Sequence, residues 1–390
     1  MPRNESLGAA RAAKNDEYYT RLRDIEDELK HYKKHFKDKV VFCNCDDPYE
    51  SNFFQYFAMN FVPLGLKKLI CTCYDNSPIA GKELDLFSAV EDDEIPQEEK
   101  KGKAYKIIID HVKDENGDGK IDITDVRQFI QENASVCTLL QGNGDFRSPE
   151  CVALLRESDI VVTNPPFSLF REFIQQLMTY KKDFLILGNP NALHYASIFP
   201  YIKNNQIWIG YKSMSTDMLF YVSKEFEHWL REHKKEGSGW RIVDGVFYGR
   251  AAAIWYTNLD IKKRHEDIDL YKEYNPIDYP KYYNYEGINV DHVDDIPCDY
   301  FGEMGVPDSF LNSYNPDQFE LIGIGSDVPK TKEHVAHKEQ GVINYEVDGK
   351  ILWTTPYTVS ERKIGNSLRI DNNGLPGNSP YSRIIIKRKQ

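Results

Sequence analysis

The chain has 390 residues, of which 41% are hydrophobic and 28% charged, and its formal net charge is −12. This composition is typical of a soluble globular protein with two domains, or with one large domain and an appended module. No apolar run is long enough to span a bilayer and the N-terminus has no signal-peptide pattern. We therefore expect a cytoplasmic protein without a membrane partner.

The acidic charge is unevenly distributed. Residues 91–125 hold 12 acidic and 6 basic side chains, whereas residues 361–390 hold 7 basic and 2 acidic ones. A negative total argues against a nucleic-acid partner. Because the acids are concentrated in one segment and bases are available elsewhere, the charge distribution still permits DNA binding.

The seven cysteines include two Cys-x-Cys pairs, Cys43/Cys45 and Cys71/Cys73. Both pairs lie in apolar, strand-like runs, where the two thiols share one strand face as small buried hydrophobes. Structural zinc sites prefer wider spacing in loops. We therefore predict reduced, buried thiols, which suit a cytoplasmic protein.

We predict an arm over residues 1–13 and a charged helix near 21–35. Between them lies the segment Lys14-Asn-Asp-Glu-Tyr-Tyr-Thr20. A first buried strand is predicted over 39–44, and a helix over 52–60 follows it. A strand, a tight polar turn and a helix N-terminus form the site at which α/β folds hold a cofactor.

The turn after the first strand contains two acids, Asp46 and Asp47, but lacks the glycines usual in such a loop. These carboxylates either accept hydrogen bonds from an ammonium group of the cofactor or cap the following helix. A second strand over 68–75 ends in Asp75. In a Rossmann-like unit an acid at this spacing binds ribose hydroxyls, although exposed acids at strand ends are common.

Residues 79–135 interrupt the strand–helix alternation and contain a loop over 114–125 that matches the EF-hand calcium pattern. Gly119 lies at loop position six, where a sharp turn is needed, and the acid at position twelve is Asp rather than the usual Glu. An Asp at this position is found in dockerin-like calcium loops, and the alternative is a turn rich in Asn, Asp and Gly that matches the pattern by chance. The predicted calcium ligands, with a structural role, are Asp114, Asn116, Asp118, the Lys120 carbonyl, Asp122 and Asp125.

A further strand over 136–140 is followed by the segment 144–148 and a helix over 149–157. Asp145 is a candidate acceptor for the amino group of a bound adenine, and Phe146 is a candidate for packing on the ring. This helix returns the chain to the strand that precedes the most informative motif.

That motif is Asn164-Pro165-Pro166-Phe167, which follows a β-branched, buried strand over Ile160–Thr163 and precedes a helix predicted to be capped by Ser168. Such a strand ends at the carboxyl edge of a parallel sheet, where open α/β folds bind ligands. The Asn164 side-chain oxygen and the Pro165 carbonyl can together accept hydrogen bonds from one planar amino group, and Phe167 offers a flat face for a base.

Beyond this motif we predict a strand over 183–189 and a hairpin formed by 206–210 and 218–222. After about residue 224 the alternation ends, and the remaining residues are rich in Tyr, Pro, Asn and Gly with short strands over 253–257 and 319–323. Basic clusters recur there. A basic, aromatic, loop-rich region suits DNA reading, although an accessory domain of any purpose would show the same composition.

Several segments together resemble the EcoRI-type family of adenine-specific DNA methyltransferases, which use S-adenosylmethionine. The Asn-Pro-Pro-Phe motif is shared by amino-group methyltransferases in general, whereas the first and last segments are more particular to this family. The matching segments are 14–20, 43–48, 144–148, 159–170, 253–260 and 304–307. The calcium-type loop is not needed for that chemistry.

The resemblance implies an α/β fold: a Rossmann-like class I methyltransferase sheet with a C-terminal α+β target-recognition domain. The residue pattern alone adds the inserted EF-hand/dockerin-like loop to this fold. The implied domains are residues 1–35 (arm and cofactor-binding segment), 36–224 (catalytic) and 225–390 (DNA-binding). The implied catalytic residues are Asn164, Pro165, Pro166 and Phe167. The implied or candidate cofactor-binding residues are Tyr18, Tyr19, Thr20, Asn44, Asp46, Asp47, Asp75, Asp145 and Phe146.

The implied activity is methyl transfer to the exocyclic amine of an adenine that has left the stack of double-stranded DNA. Restriction–modification, phage defence or antirestriction are the settings this implies, with a cognate restriction nuclease as a candidate partner. Two alternatives stay open: methylation of RNA or of a protein glutamine, which the same motif serves, and a non-catalytic DNA-binding antirestriction protein on the same fold.

Overall fold

A computed structural model describes residues 19–45, 51–73, 104–114, 117, 121–132, 137–331, 335–339, 342–347, 350–356, 368–377 and 380–390. By its internal contacts the chain divides into two compact units. The large unit comprises Ser6–Ile198 and Ile207–Ile261, and the small unit includes Phe199–Gln206 and Lys262–Gln390. Residue 224, where the strand–helix alternation was expected to end, lies within the large unit.

The described helices are short, and none is long and apolar enough to cross a membrane. The α-helices are α1 (Leu22–Leu29), α2 (Asn52–Met59), α3 (Phe61–Leu64), α4 (Ile123–Glu132), α5 (Pro149–Glu157), α6 (Phe170–Thr179), α7 (Phe199–Lys203) and α8 (Lys224–His233). The 3-10 helices are Lys33–His35, Phe167–Leu169, Pro190–His194, Lys262–His265, Val293–Asp295 and Asp308–Asn312.

The described strands form sheets in both units. They are β1 (Tyr19–Thr20), β2 (Val40–Asn44), β3 (Lys68–Thr72), β4 (Tyr105–Ile109), β5 (Cys137–Leu139), β6 (Ile160–Thr163), β7 (Asp183–Gly188), β8 (Trp208–Ile209), β9 (Met218–Tyr221), β10 (Trp240–Val243), β11 (Val246–Ala251), β12 (Ile254–Thr257), β13 (Ile288–Asn289), β14 (Glu303–Pro307), β15 (Phe319–Ile324), β16 (Val335–Glu339), β17 (Val342–Val347), β18 (Lys350–Pro356), β19 (Asp371–Asn372), β20 (Leu375–Pro376) and β21 (Arg383–Arg388).

The main sheet of the large unit has the strand order β5-β4-β3-β2-β6-β7-β12-β8. The four central strands, β3, β2, β6 and β7, are parallel, and an antiparallel pair flanks them on each side. The chain runs from β2 to β3 in one direction and from β6 to β7 in the other. The strand order therefore reverses between β2 and β6, and ligands bind outside the carboxyl ends of such strands in open α/β sheets.

Strand β6 is buried on both faces, as the run of β-branched residues predicts. Ile160, Val161, Val162 and Thr163 are all inaccessible to solvent. A strand with helices on both sides has no polar face, so a continuous apolar run replaces alternation. The predicted bounds of this strand are confirmed, as is the mixed α/β architecture around it.

The predicted hairpin between 206–210 and 218–222 is wrong. Strand β8 pairs with β12 at the edge of the main sheet, whereas β9 belongs to a second sheet of order β1-β9-β11-β10. In that sheet Tyr19 lies opposite Tyr221 and Thr20 opposite Phe220. Both segments alternate suitably for pairing, but sequence pattern alone does not choose between a near and a distant strand.

The charged helix predicted near 21–35 is also shorter than expected. Helix α1 ends at Leu29, and a 3-10 turn follows over Lys33–His35.

Among the thiols, Cys43 lies opposite Cys71 in neighbouring parallel strands, and both are fully buried in the core without a disulfide.

The small unit contains an antiparallel-dominated sheet of order β13-β14-β21-β15, a three-stranded sheet β16-β17-β18 and the pair β19-β20. Its buried Arg383 donates to Asn289 Oδ1 at 3.1 Å and to Asp291 Oδ1 at 2.9 Å. Tyr282 donates its hydroxyl hydrogen to the same Asn289 oxygen at 3.0 Å. This network satisfies a buried guanidinium that would otherwise destabilise the fold.

Candidate active site

The point of strand reversal in the main sheet is closed by a hydrogen bond between its two strand ends. Thr163, the last residue of β6, donates its hydroxyl hydrogen to the carbonyl oxygen of Asn44, the last residue of β2. Both residues are buried. The segment after β2 and the motif after β6 therefore start side by side at one edge of the sheet.

The Asn-Pro-Pro-Phe motif leaves this edge in an extended conformation. Asn164 is half-buried and Pro165 is buried, and Pro166 has φ −56° and ψ 119°. The Pro166 carbonyl then accepts from the Leu169 amide at 2.9 Å, which closes a 3-10 turn over Phe167–Leu169. The prolines fix this backbone because their φ angles are restricted.

Ser168 is not the helix cap that the sequence suggests. It lies inside the 3-10 turn, and α6 begins at Phe170 without a side-chain cap. The extra turn separates Phe167 from the helix. Phe167 is half-buried, with part of its ring packed against the core and part accessible.

The segment after β7 lies against the start of α6. A Cβ atom added to Gly188 would come 2.4 Å from Phe170 Cε2, so only glycine fits at this strand end. The Tyr256 hydroxyl donates to the Asn189 carbonyl at 2.9 Å and fixes the next residue. The residues that follow β6 and β7 therefore form one wall at the carboxyl edge.

At the end of β2, the Asn44 side chain is 1% exposed, and no described residue donates a hydrogen bond to its Oδ1. A buried polar atom in this state costs free energy unless a ligand or another group satisfies it. Cys45, the next residue, has φ +80°. This is the left-handed region that glycine usually occupies, so the backbone takes the turn of a glycine loop without the glycine. Asp46 and Asp47 lie outside the described residues.

The N-terminal segment reaches the same region. Thr20 is buried in β1, and its carbonyl accepts from Asn52 Nδ2 at 2.7 Å. Asn52 is the first residue of α2, whose N-cap is Ser51 with Oγ accepting from the Phe53 amide at 3.1 Å. Ser51 thus fills the capping role that Asp46 or Asp47 was considered for. Tyr19 is half-buried, and Tyr18 lies outside the described residues.

The loop after β5 approaches the end of β3. Gly144 has φ +78°, and a Cβ atom there would lie 2.0 Å from the Cys73 carbonyl oxygen. Asp75, two residues further along, lies outside the described residues. This contact between Gly144 and the Cys73 carbonyl brings together two segments predicted to bind the cofactor, the one that contains Asp145 and the one that ends in Asp75. The contact involves backbone atoms, so no sequence motif identifies it.

Asp145 is held by its neighbour Arg147, which donates to Oδ1 at 2.9 Å and to Oδ2 at 2.6 Å through its guanidinium and to Oδ1 at 2.8 Å through its amide. These hydrogen bonds lower the pKa of Asp145. Phe146 is 3% exposed and packs edge-to-face on Phe173 at 5.0 Å. Its ring therefore supports the loop from the core side.

The calcium-type loop is only partly described, since Asn116, Asp118 and Lys120 lie outside the described residues. Asp114 Oδ1 accepts from the Gly117 amide at 2.7 Å, Asp122 Oδ1 from the Thr124 amide at 2.7 Å, and Asp125 Oδ2 from the Asp122 amide at 2.8 Å. These are turn and helix-capping contacts. No cluster of three potential metal ligands occurs in the described part of the chain, so calcium is not supported.

Two residues important for this geometry were missed by sequence reasoning. Thr163 looks like an ordinary β-branched strand residue, and its hydroxyl bond depends on a strand more than a hundred residues away. The role of Gly144 could have been found, because glycine allows a close backbone approach that a side chain would block.

The chain resembles known proteins along most of its length. The family model of the adenine-specific methyltransferase EcoRI matches residues 6–389. No solved structure matches the chain significantly. The chain is 45% identical over 321 residues to the Type II methyltransferase M.EcoRI of Escherichia coli, covering 82% of this chain and 89% of that protein.

Two mycoplasma proteins are also similar. The chain is 37% identical over 387 residues to the Type II methyltransferase M.MpnI of Mycoplasma pneumoniae, covering 98% of this chain and 97% of that protein. It is 36% identical over 318 residues to the Type II methyltransferase M.MgeORF184P of Mycoplasma genitalium, covering 80% and 84%. The chain therefore belongs to the EcoRI family of adenine-specific methyltransferases.

Proposed function

We propose that this chain transfers a methyl group to the exocyclic amine of an adenine that has been extruded from duplex DNA. The observation that carries the proposal is the placement of Asn164-Pro165-Pro166-Phe167 at the strand-order reversal of a parallel sheet, in a chain of an adenine-specific methyltransferase family. The relatives are named Type II methyltransferases, and we propose a DNA-modification role of that type here.

The motif orients the amine. Asn164 Oδ1 and the Pro165 carbonyl each accept one amine hydrogen, which leaves the nitrogen lone pair free to attack an electrophile. Phe167 stacks on the adenine with the accessible part of its ring. No base is needed before attack, because the cationic product sheds its proton readily. Most of the acceleration then comes from positioning two reactants.

S-adenosylmethionine supplies the electrophilic methyl group when it is bound. The residues that fit this cofactor surround the ends of β2 and β3. Asn44 Oδ1 is a buried acceptor that no described residue satisfies, the turn at Cys45 has the backbone of a glycine loop, and Tyr19 and Thr20 are attached to α2 through Asn52. We assign Tyr18, Asp46, Asp47 and Asp75 to the same site from the sequence.

Asp145 is the proposed acceptor for the amine of the cofactor's adenine. A carboxylate has about four lone-pair positions, and Arg147 occupies three of them. Arg147 thus fixes the orientation of the Asp145 carboxylate and of its remaining lone pair, which is the one that accepts the adenine amine. Phe146 supports this loop by packing on Phe173.

We further propose that residues 225–390 recognise the DNA sequence. Basic and aromatic side chains recur in this region, for example Lys234, Trp240, Arg241 and Lys387. Such side chains contact phosphates and base edges. A restriction nuclease that cuts the same sequence is the partner expected for a modification role.

The test offers radiolabelled S-adenosylmethionine to duplex DNA, RNA and protein in parallel, with the wild-type chain and Asn164→Ala. We expect label only in duplex DNA, and a loss of at least about 100-fold in turnover in Asn164→Ala with cofactor affinity retained in calorimetry. Asn204→Ala, at an exposed position of the small unit, is the matched control. Label in RNA or protein, or unchanged turnover in Asn164→Ala, would refute the assignment.

A further inference from the structure

One arginine at the carboxyl edge of the main sheet lies over the ring of a tyrosine. Arg171 is the second residue of α6, four positions after Phe167, and Tyr195 directly follows the 3-10 helix Pro190–His194. The guanidinium carbon of Arg171 lies 4.0 Å from the centre of the Tyr195 ring.

The pair lies where the proposed reaction takes place. Phe170 packs against Gly188 at the end of β7, so the start of α6 and the segment after β7 are neighbours. Both Arg171 and Tyr195 follow the carboxyl ends of central parallel strands, β6 and β7 respectively. Arg171 is exposed and Tyr195 is half-buried, so the Arg171 side chain is accessible from solvent.

Arg171 also differs in its charge environment from three other arginines of the large unit that lie against aromatic rings. Arg21, Arg147 and Arg231 each lie against an aromatic ring and each pair with a carboxylate, at 2.7 Å, 2.6 Å and 2.8 Å. No carboxylate of the described residues pairs with Arg171. Its positive charge is therefore available to an anionic ligand.

We propose that Arg171, held by Tyr195, binds a phosphodiester group of the target strand beside the extruded adenine. A guanidinium whose face is covered by an aromatic ring can still donate from its edge, and its fork matches two phosphate oxygens. Extruding a nucleotide rotates its backbone, and flanking phosphate contacts hold that rotated state. This phosphate site rests on the proposed function, because it needs DNA at this edge of the sheet.

The chain contains a matched control at the opposite edge. Arg156 lies 5.3 Å above the ring of Tyr180, near the amino ends of β6 and β7. It has the same chemistry as Arg171 but is placed away from the proposed DNA. Arg156→Gln should therefore leave DNA binding unchanged.

The experiment measures the affinity of the full chain for a duplex carrying its own methylation site, over a series of salt concentrations. We expect Arg171→Gln to weaken binding roughly 10- to 100-fold. The slope of log K against log salt should fall by about 0.9, the value for one phosphate. Arg171→Lys should restore the slope but only part of the affinity, and Tyr195→Leu should weaken binding while Tyr195→Phe does not.

A second arm identifies the phosphate. Single methylphosphonate groups, which are uncharged, replace each phosphate near the target adenine in turn. One replacement should weaken the wild type but should not further weaken Arg171→Gln. The cofactor affinity and the unfolding temperature of Arg171→Gln should equal those of the wild type, which excludes a folding defect in this variant.

The outcomes separate the two proposals. If the wild type methylates DNA but Arg171→Gln keeps its affinity and salt slope, or if Arg156→Gln loses as much, the phosphate site is refuted and the function stands. If the wild type methylates no DNA at all, the proposed function itself fails.

Discussion

At the scale of single residues, the site depends on polar groups whose partners are fixed by their neighbours. The hydroxyl of Thr163 ties β6 to β2 directly before Asn164, and Arg147 fixes the carboxylate of Asp145. Each contact orients a side chain that would otherwise sample several rotamers. Positioning groups of this kind are what a reaction controlled by orientation requires.

The Asp145–Arg147 pair makes a prediction about pH. Because Arg147 lowers the pKa of Asp145, the folded chain is stabilised above the unfolded pKa of about 3.9 and loses this contribution as the pH falls through the folded value. The stability difference between wild type and Arg147→Gln should be constant from pH 7 to about pH 5 and shrink below about pH 4. Urea unfolding at a series of pH values measures it. A difference that stays constant down to pH 3 would show that the pair is not responsible.

At the scale of elements, sequence patterns predicted those segments whose signals are local. The bounds of β6 and α5 are as predicted, because β-branched runs, flanking prolines and a Ser148 cap all lie within the segment. The pairing of β8 and β9 and the turn around Ser168 were not predicted correctly. Their conformations depend on strands and packing contacts far away in sequence, which local propensity does not record.

The loop at Gly144 is an element-scale test of how the cofactor segments are held together. Gly144→Ala would place a Cβ at φ +78° and 2.0 Å from the Cys73 carbonyl. We expect a loss of about 2 to 4 kcal/mol in unfolding free energy, together with weaker cofactor binding. Gly142→Ala is the control, since nothing lies within 4 Å of a Cβ there. Equal stability of the two variants in urea unfolding would contradict the described contact.

A buried carboxylate attaches α1 to the main sheet. Glu28 is 2% exposed and accepts from the Tyr32 hydroxyl at 2.9 Å and from the Tyr211 and Lys212 amides at 2.7 and 2.9 Å. Glu28→Gln replaces one carboxylate oxygen by an NH2 group. This donor would then face a backbone amide of Tyr211 or Lys212, which is also a donor. We expect a loss of about 2 to 3 kcal/mol in unfolding free energy. Asp27→Asn, whose carboxylate is 61% exposed, should change it by less than about 1 kcal/mol. Similar losses in both variants would argue against the buried contact.

At the scale of the whole molecule, the net charge of −12 gave little information about the partner, whereas the order of motifs identified the family. Charge sums average over segments with different roles. The edge where β2 and β6 end was predictable, because a strand followed by Asn-Pro-Pro-Phe marks it. The backbone turn at Cys45 was not, since the sequence there lacks the expected glycine.

We propose that Asn164 and Pro165, on the carboxyl edge of the main sheet, bind the adenine amine that is methylated. The most direct test of this claim is modified-base sequencing of DNA from cells that express either the wild-type chain or Asn164→Ala, in a host without adenine methylation of its own. We predict 6-methyladenine at one defined sequence with the wild type and none with the variant at equal protein levels. Absence of 6-methyladenine with the wild type, or its persistence with Asn164→Ala, would contradict the claim.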